Sequence, residues 1–226
     1  MLGASLRGLV LRDGDVTLRP LRVRDTNALD RELMLNRGWL RPWEATNPDG
    51  FVSFDTRANI RALIAYARTG AGVAFAIELA GELVGQLNVS AITHGSLSSA
   101  QVGYWVAERV AGRGVTPTAV ALATDYCFSR LHVHRMEICI RPENAASLRV
   151  VEKLGFRYEG FRERYIHING AWRDHVCFAV TAEEVPQGVL ARWRAGAVPA
   201  GLPTAPPFAG PPVTSRATPW NGSDTP

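Results

Sequence analysis

The sequence predicts one α/β domain built around a mostly antiparallel sheet, followed by an unstructured tail. Three observations predict it. Period-two and period-3.6 apolar patterns succeed one another along residues 15–180 in the order β, α, α, β, β, β, α, β, α, β, β. Apolar residues make up 46% of the 226, enough for one core without disulfides or metals. From residue 196 onward the chain is Pro, Gly, Ala, Thr and Ser with almost no charge, a composition that cannot offset the entropy of ordering. The domain is therefore expected over 15–195 and the tail over 196–226, with 1–14 a lead-in that has room for one extra strand. No internal repeat is visible.

Residues 15–21 alternate like a strand, and 25–35 carry Leu29, Leu33 and Met34 at helical spacing. In 54–68, Ile60, Leu63, Ile64 and Ala67 form one helical stripe that Gly70 and Gly72 end. Two strands, 73–79 and 83–92, follow around Ala80-Gly81. In the second, Leu83, Leu87, Val89 and Ala91 alternate with Gln86, Asn88 and Ser90, one apolar face and one polar. Residues 100–106 form a strand, 111–116 a glycine-containing turn. A helix then opens with Thr116 expected as N-cap and Pro117 at its first position, its buried stripe being Val115, Ala119, Leu122, Ala123 and Tyr126. A strand over 135–140 and a helix over 145–154 closed by Gly155 come next. The last two strands, 164–168 and 172–180, flank Asn169-Gly170, a strong hairpin signal.

Composition excludes several classes. No run of about 18 apolar residues exists and the N-terminus lacks a signal-peptide pattern, which argues against a membrane partner and for a cytoplasmic protein. The net charge is +4, but arginine is scattered and Lys153 is the only lysine, so a nucleic-acid partner is not indicated. Cys127, Cys139 and Cys177 are odd in number, far apart and in no CxxC pair, which argues against a disulfide framework or zinc site; all three are assigned to packing. His132 and His134 lack a third ligand and read as structural, so no metal is expected.

The chemistry lies in Tyr104-Trp105-Val106 followed by Ala111-Gly112-Arg113-Gly114-Val115-Thr116 at a helix start. Glycines allow a tight turn with unobstructed N–H groups, and the helix dipole adds to them, so a pyrophosphate can be held there. The glycines alone fit an ordinary strand-to-helix turn equally well, and neither GxxxxGK[ST] nor GxGxxG is present. This segment resembles the GNAT acetyltransferases, whose coenzyme A loop follows Q/R-x-x-G-x-G/A after a strand. Arg109-x-x-Gly112-x-Gly114 matches literally. An ungapped alignment from Tyr104-Trp105-Val106 instead marks Ala111, Gly114 and Thr116, and is preferred because it places the helix start. A second stretch, Arg141-Pro142-Glu143-Asn144-Ala145-Ala146-Ser147 running to Lys153-Leu154-Gly155-Phe156, resembles the family's N-x-x-S…K-x-G-F signature.

The resemblance implies a GNAT fold: six or seven strands, about four helices, and a splay between the fourth and fifth strands. It implies acetyl-CoA as co-substrate, held by Trp105, Val106, Gly112, Arg113, Gly114, Val115, Thr116 and Asn144. The Val106 N–H would face the thioester carbonyl. Where many members carry a tyrosine as general acid this chain has Val151, so Ser147, one turn earlier, takes that role; simple helix capping is the alternative for Asn144 and Ser147. A narrower resemblance, to the RimJ/RimL branch that acetylates N-termini of ribosomal proteins, rests on Asn36-Arg37-Gly38-Trp39-Leu40-Arg41-Pro42-Trp43-Glu44, on Glu159-Gly160-Phe161, and on the stretch from Tyr165 to Trp172-Arg173-Asp174-His175. It implies a protein N-terminal amine as acceptor, Ala or Ser of a ribosomal protein, met by Trp39, Trp43, Asn88 and Tyr165. The branch's glutamate base aligns with Ile166, leaving Glu44 and Glu163 as substitutes. A small-molecule amine such as a polyamine or drug, or a non-catalytic acetyl-CoA-binding module, are the other readings. Monomer and homodimer are both open.

Overall fold

In the computed structural model, residues 6, 8–49 and 55–201 are described. The tail assignment beyond residue 201 lies outside them.

The domain is an eight-stranded sheet in the order β1-β2-β3-β4-β5-β6-β8-β7. Its strands are β1 (Leu11–Asp13), β2 (Val16–Pro20), β3 (Val73–Leu79), β4 (Glu82–Ser90), β5 (Ser99–Val106), β6 (Arg135–Ile140), β7 (Arg157–Ile168) and β8 (Ala171–Thr181). The helices are α1 (Thr26–Leu35), α2 (Arg37–Leu40), α3 (Thr56–Arg68), α4 (Val115–Arg130), α5 (Ala145–Leu154) and α6 (Val189–Ala195). Every strand pair is antiparallel except β5 and β6, which run parallel. One more strand than expected comes from β1, within the 1–14 lead-in, which pairs with β2. Asn169 and Gly170, both at positive φ, make the β7–β8 hairpin as anticipated.

Each face of the sheet has its own apolar cluster. The larger joins Leu18, Phe75, Leu87 and Met136, all fully buried, to α4, α5 and α6. The smaller lies under α1, α2 and α3 and takes Leu29, Leu40, Ile60, Ala76 and Leu83. Leu83 corrects the sequence reading, which put it on one face with Leu87 and Val89. A bulge breaks the β3–β4 register at Ile77/Glu78, leaving Val84 without a partner, so Leu83 turns to the smaller cluster and Val84 to the larger. The face called polar is not solvated either, since Gln86 is 5% exposed and donates to Asn88 Oδ1 at 2.8 Å.

Two helices were not foreseen. The single turn α2 is too short for a periodic pattern. The other, α6, is seven residues held by Asp125, whose carboxylate accepts the Val189 and Leu190 N–H groups at 2.6 and 3.1 Å. Because α6 packs on α4, α4 is buried almost all round, from Pro117 through Thr124 without a break, rather than along one stripe.

Close approach of β4 and β5 depends on Gly85. A Cβ there would stand 2.3 Å from the Trp105 carbonyl oxygen and 3.0 Å from the Val106 Cα, both backbone atoms that cannot swing aside. Gly85→Ala is expected to cost about 2 kcal/mol through this overpacking. For a chain of this size that is a drop in Tm of roughly 4–8 °C in thermal unfolding, and an unchanged Tm would show that the strands separate freely.

Candidate active site

The site grows out of the one parallel pair. β5 and β6 share only Ser99↔Arg135, Ala100↔Met136 and Gln101↔Glu137, yet β5 continues to Val106 and β6 to Ile140. Past Gln101 the strands part, which is the expected splay between the fourth and fifth predicted strands. On its other side β5 stays paired: Gly85 opposes Val106, and the Ala107 N–H donates to Val84 O at 2.7 Å. That bond makes Gly85–Val106 a non-hydrogen-bonded pair, so the Val106 N–H and C=O point away from β4 into the gap. The Val106 carbonyl accepts the Trp39 indole N–H at 3.1 Å.

Below the gap β5 runs through a short 3-10 turn, Glu108–Val110, into Gly112 and Gly114, with φ of +77° and +80°. Nothing lies within 4 Å of a Cβ built on either, so glycine is required there by backbone conformation and the space above is open. Helix α4 starts at Val115 with Gly114 as N-cap, earlier than the expected Thr116 cap. Pro117 sits at the third helical position, where its missing N–H costs nothing because first-turn amides have no intrahelical acceptor. The first helical bond is Thr118 N–H to Gly114 O at 3.2 Å, so the Val115 and Thr116 amides project from the positive end of the dipole.

A groove of about 380 Å³ runs along this edge. Its walls are Trp39, Leu40 and Trp43 on one side, Tyr104 to Val106 with Ala111, Gly112 and Gly114 to Pro117 on the second, and Asn144 with the Ser147, Arg149, Val150 and Lys153 face of α5 on the third. Asn144 caps α5, accepting the Ser147 N–H at 3.1 Å through Oδ1. Capping and ligand contact are therefore compatible, since the cap uses only one end of the amide. Arg149 and Lys153, four apart on α5, both border the groove, the Lys153 ammonium lying 5.8 Å over the Trp193 ring. Such a groove suits an extended anion with a diphosphate at one end and a carbonyl at the other.

Residues 15–157 match the family described as acetyltransferase (GNAT) domain. The chain belongs to the GNAT acetyltransferases. A solved structure of Mycobacterium smegmatis RimJ in complex with CoA-disulfide is 40% identical, with a TM-score of 0.75 over 83% of this chain and 92% of that one. The [ribosomal protein uS5]-alanine N-acetyltransferase of Escherichia coli is 29% identical over 68% of this chain and 80% of its own length. A probable N-acetyltransferase of Bacillus subtilis, YjcK, is 39% identical over 43% of this chain, which spans 54% of that protein.

Within this GNAT domain the proposed cofactor residues gather with one exception. Trp105, Val106, Gly112, Gly114, Val115, Thr116 and Asn144 line the groove, and Ser147 with them. Arg113 does not; its N–H turns back to Val110 O at 3.4 Å and the residue is exposed. Arg109, the first residue of the literal register, does not line the groove either; its guanidinium is bound to Glu32 and, at 2.9 Å, to Glu82. Val151 is a core residue, 1% exposed, and Val150 rather than Val151 shares the groove with Ser147.

The acceptor residues are spread more widely. Trp39 and Trp43 line the groove, whereas Asn88 is engaged with Gln86 on β4. Tyr165 stands across the gap on β7, its hydroxyl 3.4 Å from Gln101 Nε2 and its ring under the Arg162 guanidinium at 4.8 Å. Glu44 is paired with Arg37 at 2.7 Å, and Glu163 is exposed on β7 where its register with β8 breaks. Neither lines the groove.

Sequence reasoning passed over three features. The Tyr104 hydroxyl is shut off from solvent and faces the Ser147 side chain without completing a hydrogen bond; burial pushes the phenol up, so it stays protonated. Cys139 and Cys177, assigned to separate packing, lie side by side with Sγ atoms 3.0 Å apart. His175 is buried edge-on to Tyr165, ring centroids 5.7 Å apart, and its Nδ1 lies 3.0 Å from the Arg173 carbonyl. A carbonyl only accepts, so Nδ1 carries the proton.

Burial lowers the His175 pKa against the bond to Arg173, which raises it. The unfolded chain thus takes the proton first as pH falls, and stability present above about pH 6.5 is lost as pH drops toward the folded value. The slope from this group is at most about 1.4 kcal/mol per pH unit. Melting curves between pH 7 and pH 5 should fall less steeply for His175→Gln than for the unaltered protein. Parallel curves would mean that the folded imidazole accepts a proton freely.

Proposed function

We propose that this GNAT enzyme transfers the acetyl group of acetyl-CoA to the N-terminal α-amino group of a protein, with Ala or Ser at the terminus of a ribosomal protein as the first candidate and the cytoplasm as its setting. The observation that carries the reading is the Val106 backbone turned into the gap at one end of a groove whose other end is a row of helix-start amides. The E. coli relative acts on ribosomal protein uS5 and the M. smegmatis relative is a RimJ, which supports a protein acceptor.

The residues divide the work. Amides of Gly112, Gly114, Val115 and Thr116, with Arg149 and Lys153 bordering the same groove, suit the diphosphate; the Asn144 amide suits the pantetheine arm. The Val106 N–H stabilises charge developing on the thioester oxygen as the amine attacks directly, without a covalent enzyme intermediate. Ser147 protonates the departing thiolate and is reprotonated through water with the proton the amine loses, and the buried, protonated Tyr104 hydroxyl faces it from behind. Glu44 is tied to Arg37, and Glu163 is the remaining substitute base, acting through water.

Spermidine N(1)-acetyltransferase of E. coli, 28% identical over 45% of this chain, keeps a small amine as the competing acceptor. Steady-state assays with Ala- and Ser-initiated ribosomal peptides and with spermidine decide between them. The peptides are expected to give the higher kcat/KM; preference for spermidine would overturn the protein acceptor. Ser147→Ala is expected to lower kcat by about 10²-fold, the usual worth of a general acid, with KM for acetyl-CoA nearly unchanged. Tyr104→Phe should show the same pattern in smaller measure. Unchanged kcat in Ser147→Ala would remove the proton-donor role.

A further inference from the structure

Cys139 and Cys177 are directly opposed partners in the antiparallel pair β6–β8. Opposed Cα atoms in such a pair are roughly 4.5–5.5 Å apart, inside the roughly 4.4–6.8 Å that a disulfide spans. With Sγ atoms already 3.0 Å apart, bond formation needs the sulfurs to close by about 1 Å and the backbone not to move. Cys139 is half-buried and Cys177 buried, on the face of the sheet turned away from α4 and α5. Arg162 covers them, its Nη1 3.8 Å from the Cys139 Sγ.

The two thiols divide one proton unequally. The Cys139 hydrogen bond and the Arg162 charge pull Cys177 down, against burial and the carboxylates of Glu137 and Glu159; Cys139 is pushed up by the same bond. Cys127, buried in the main core, is instead pushed up to about 12 by burial. The thiolate is favoured on the buried Cys177 while the half-exposed Cys139 holds the shared proton, so Cys139 becomes the nucleophile by passing that proton 3.0 Å to Cys177, which then stands as the resolving partner.

We propose that Cys139 and Cys177 form a thiol–disulfide exchange site that reduces small-molecule disulfides, such as CoA disulfide, by closing a reversible disulfide across β6 and β8. Cys139, giving its proton to Cys177, attacks one sulfur of the small disulfide, whose S–S bond breaks and releases the first thiolate. Cys177 then loses the proton to that thiolate and attacks Cys139 in the mixed disulfide, forming the Cys139–Cys177 bond and expelling the second thiolate, which takes a proton from water. Two protein thiols are oxidised and one small disulfide becomes two thiols. The proposal does not depend on the acetyl-transfer reading, although Arg162 also lies 4.8 Å over the Tyr165 ring.

The test incubates the folded full chain with CoA disulfide and follows intact mass, released CoA thiol and peptides digested without reductant. The expected result is a chain lighter by two hydrogens, two CoA thiols released per chain, a linked Cys139–Cys177 peptide, and reversal by dithiothreitol. Cys177→Ser should stop at a lasting CoA adduct on Cys139, and Arg162→Gln should slow the exchange severalfold. An unreacted chain, a lasting adduct on the unaltered protein, modification at Cys127, or an Arg162→Gln rate equal to that of the unaltered protein would overturn the proposal.

Discussion

The active site exists because β5 and β6 stop pairing after Gln101. A parallel pair inside an otherwise antiparallel sheet needs a crossover, and α4 supplies it; once the strands diverge, the β5 backbone groups that face β6 beyond the last shared residue have no strand neighbour. Unpaired backbone buried without a partner is costly, so such a gap persists only if something satisfies it. Here the Val106 carbonyl takes the Trp39 indole, and the Val106 N–H is left facing the groove. The same divergence gives α4 a start with exposed amides, because the chain must turn through two positive-φ glycines to reach the crossover.

A strap across the gap keeps it from collapsing or widening. Asn36, at the junction of α1 and α2, accepts the Glu108 N–H at 2.9 Å and so fixes the strap to the exit of β5. Arg141 at the end of β6 donates to Pro42 O at 2.7 Å and lies 5.3 Å over the Trp43 ring. Beyond, Arg41 donates to Asn169 Oδ1 and the Thr46 N–H to His167 O, which ties the segment to the β7–β8 hairpin. The Asn36-to-Glu44 run that marks the RimJ/RimL-like branch is therefore a clamp joining both lips of the splay. Trp39 and Trp43 stand in the groove because the clamp carries them there.

What the sequence made legible follows this logic. A helix with a long periodic pattern such as α3 was readable because one face of it meets a core, whereas β3 and β4 were readable as strands but not by face, since both faces of the sheet are covered. The amide turn was readable because only glycine fits its backbone. What escaped depends on contacts distant in sequence. No local pattern announces that Asp125 will cap α6, that a bulge at Val84 will turn Leu83 over, or that a register of six residue pairs will bring Cys139 against Cys177. No local pattern gives Tyr104 a role, because its hydroxyl takes its meaning from a side chain on another element, Ser147 of α5. The basic pair Arg149 and Lys153 carried a signal in its i, i+4 spacing, weak until the groove they border was in place.

The two departures read from the sequence, Val151 at the position aligned with the tyrosine of many GNAT enzymes and Ile166 at that aligned with the glutamate of the RimL-type branch, weigh less when the acceptor is an α-amine. With a pKa near 7.7–8.0, roughly a fifth to a third of such an amine is neutral at pH 7.4, against about one part in a thousand for a lysine near 10.4. A strong base in contact with the nucleophile would gain at most that fraction, well under 1.4 kcal/mol, so a glutamate there is nearly dispensable. The leaving thiolate still has to be protonated, whichever amine attacks. On the proposed roles the proton donor is the better placed partner: Ser147 lies at the groove with a buried, protonated Tyr104 behind it, whereas Glu44 is paired with Arg37 and Glu163 could act only through water.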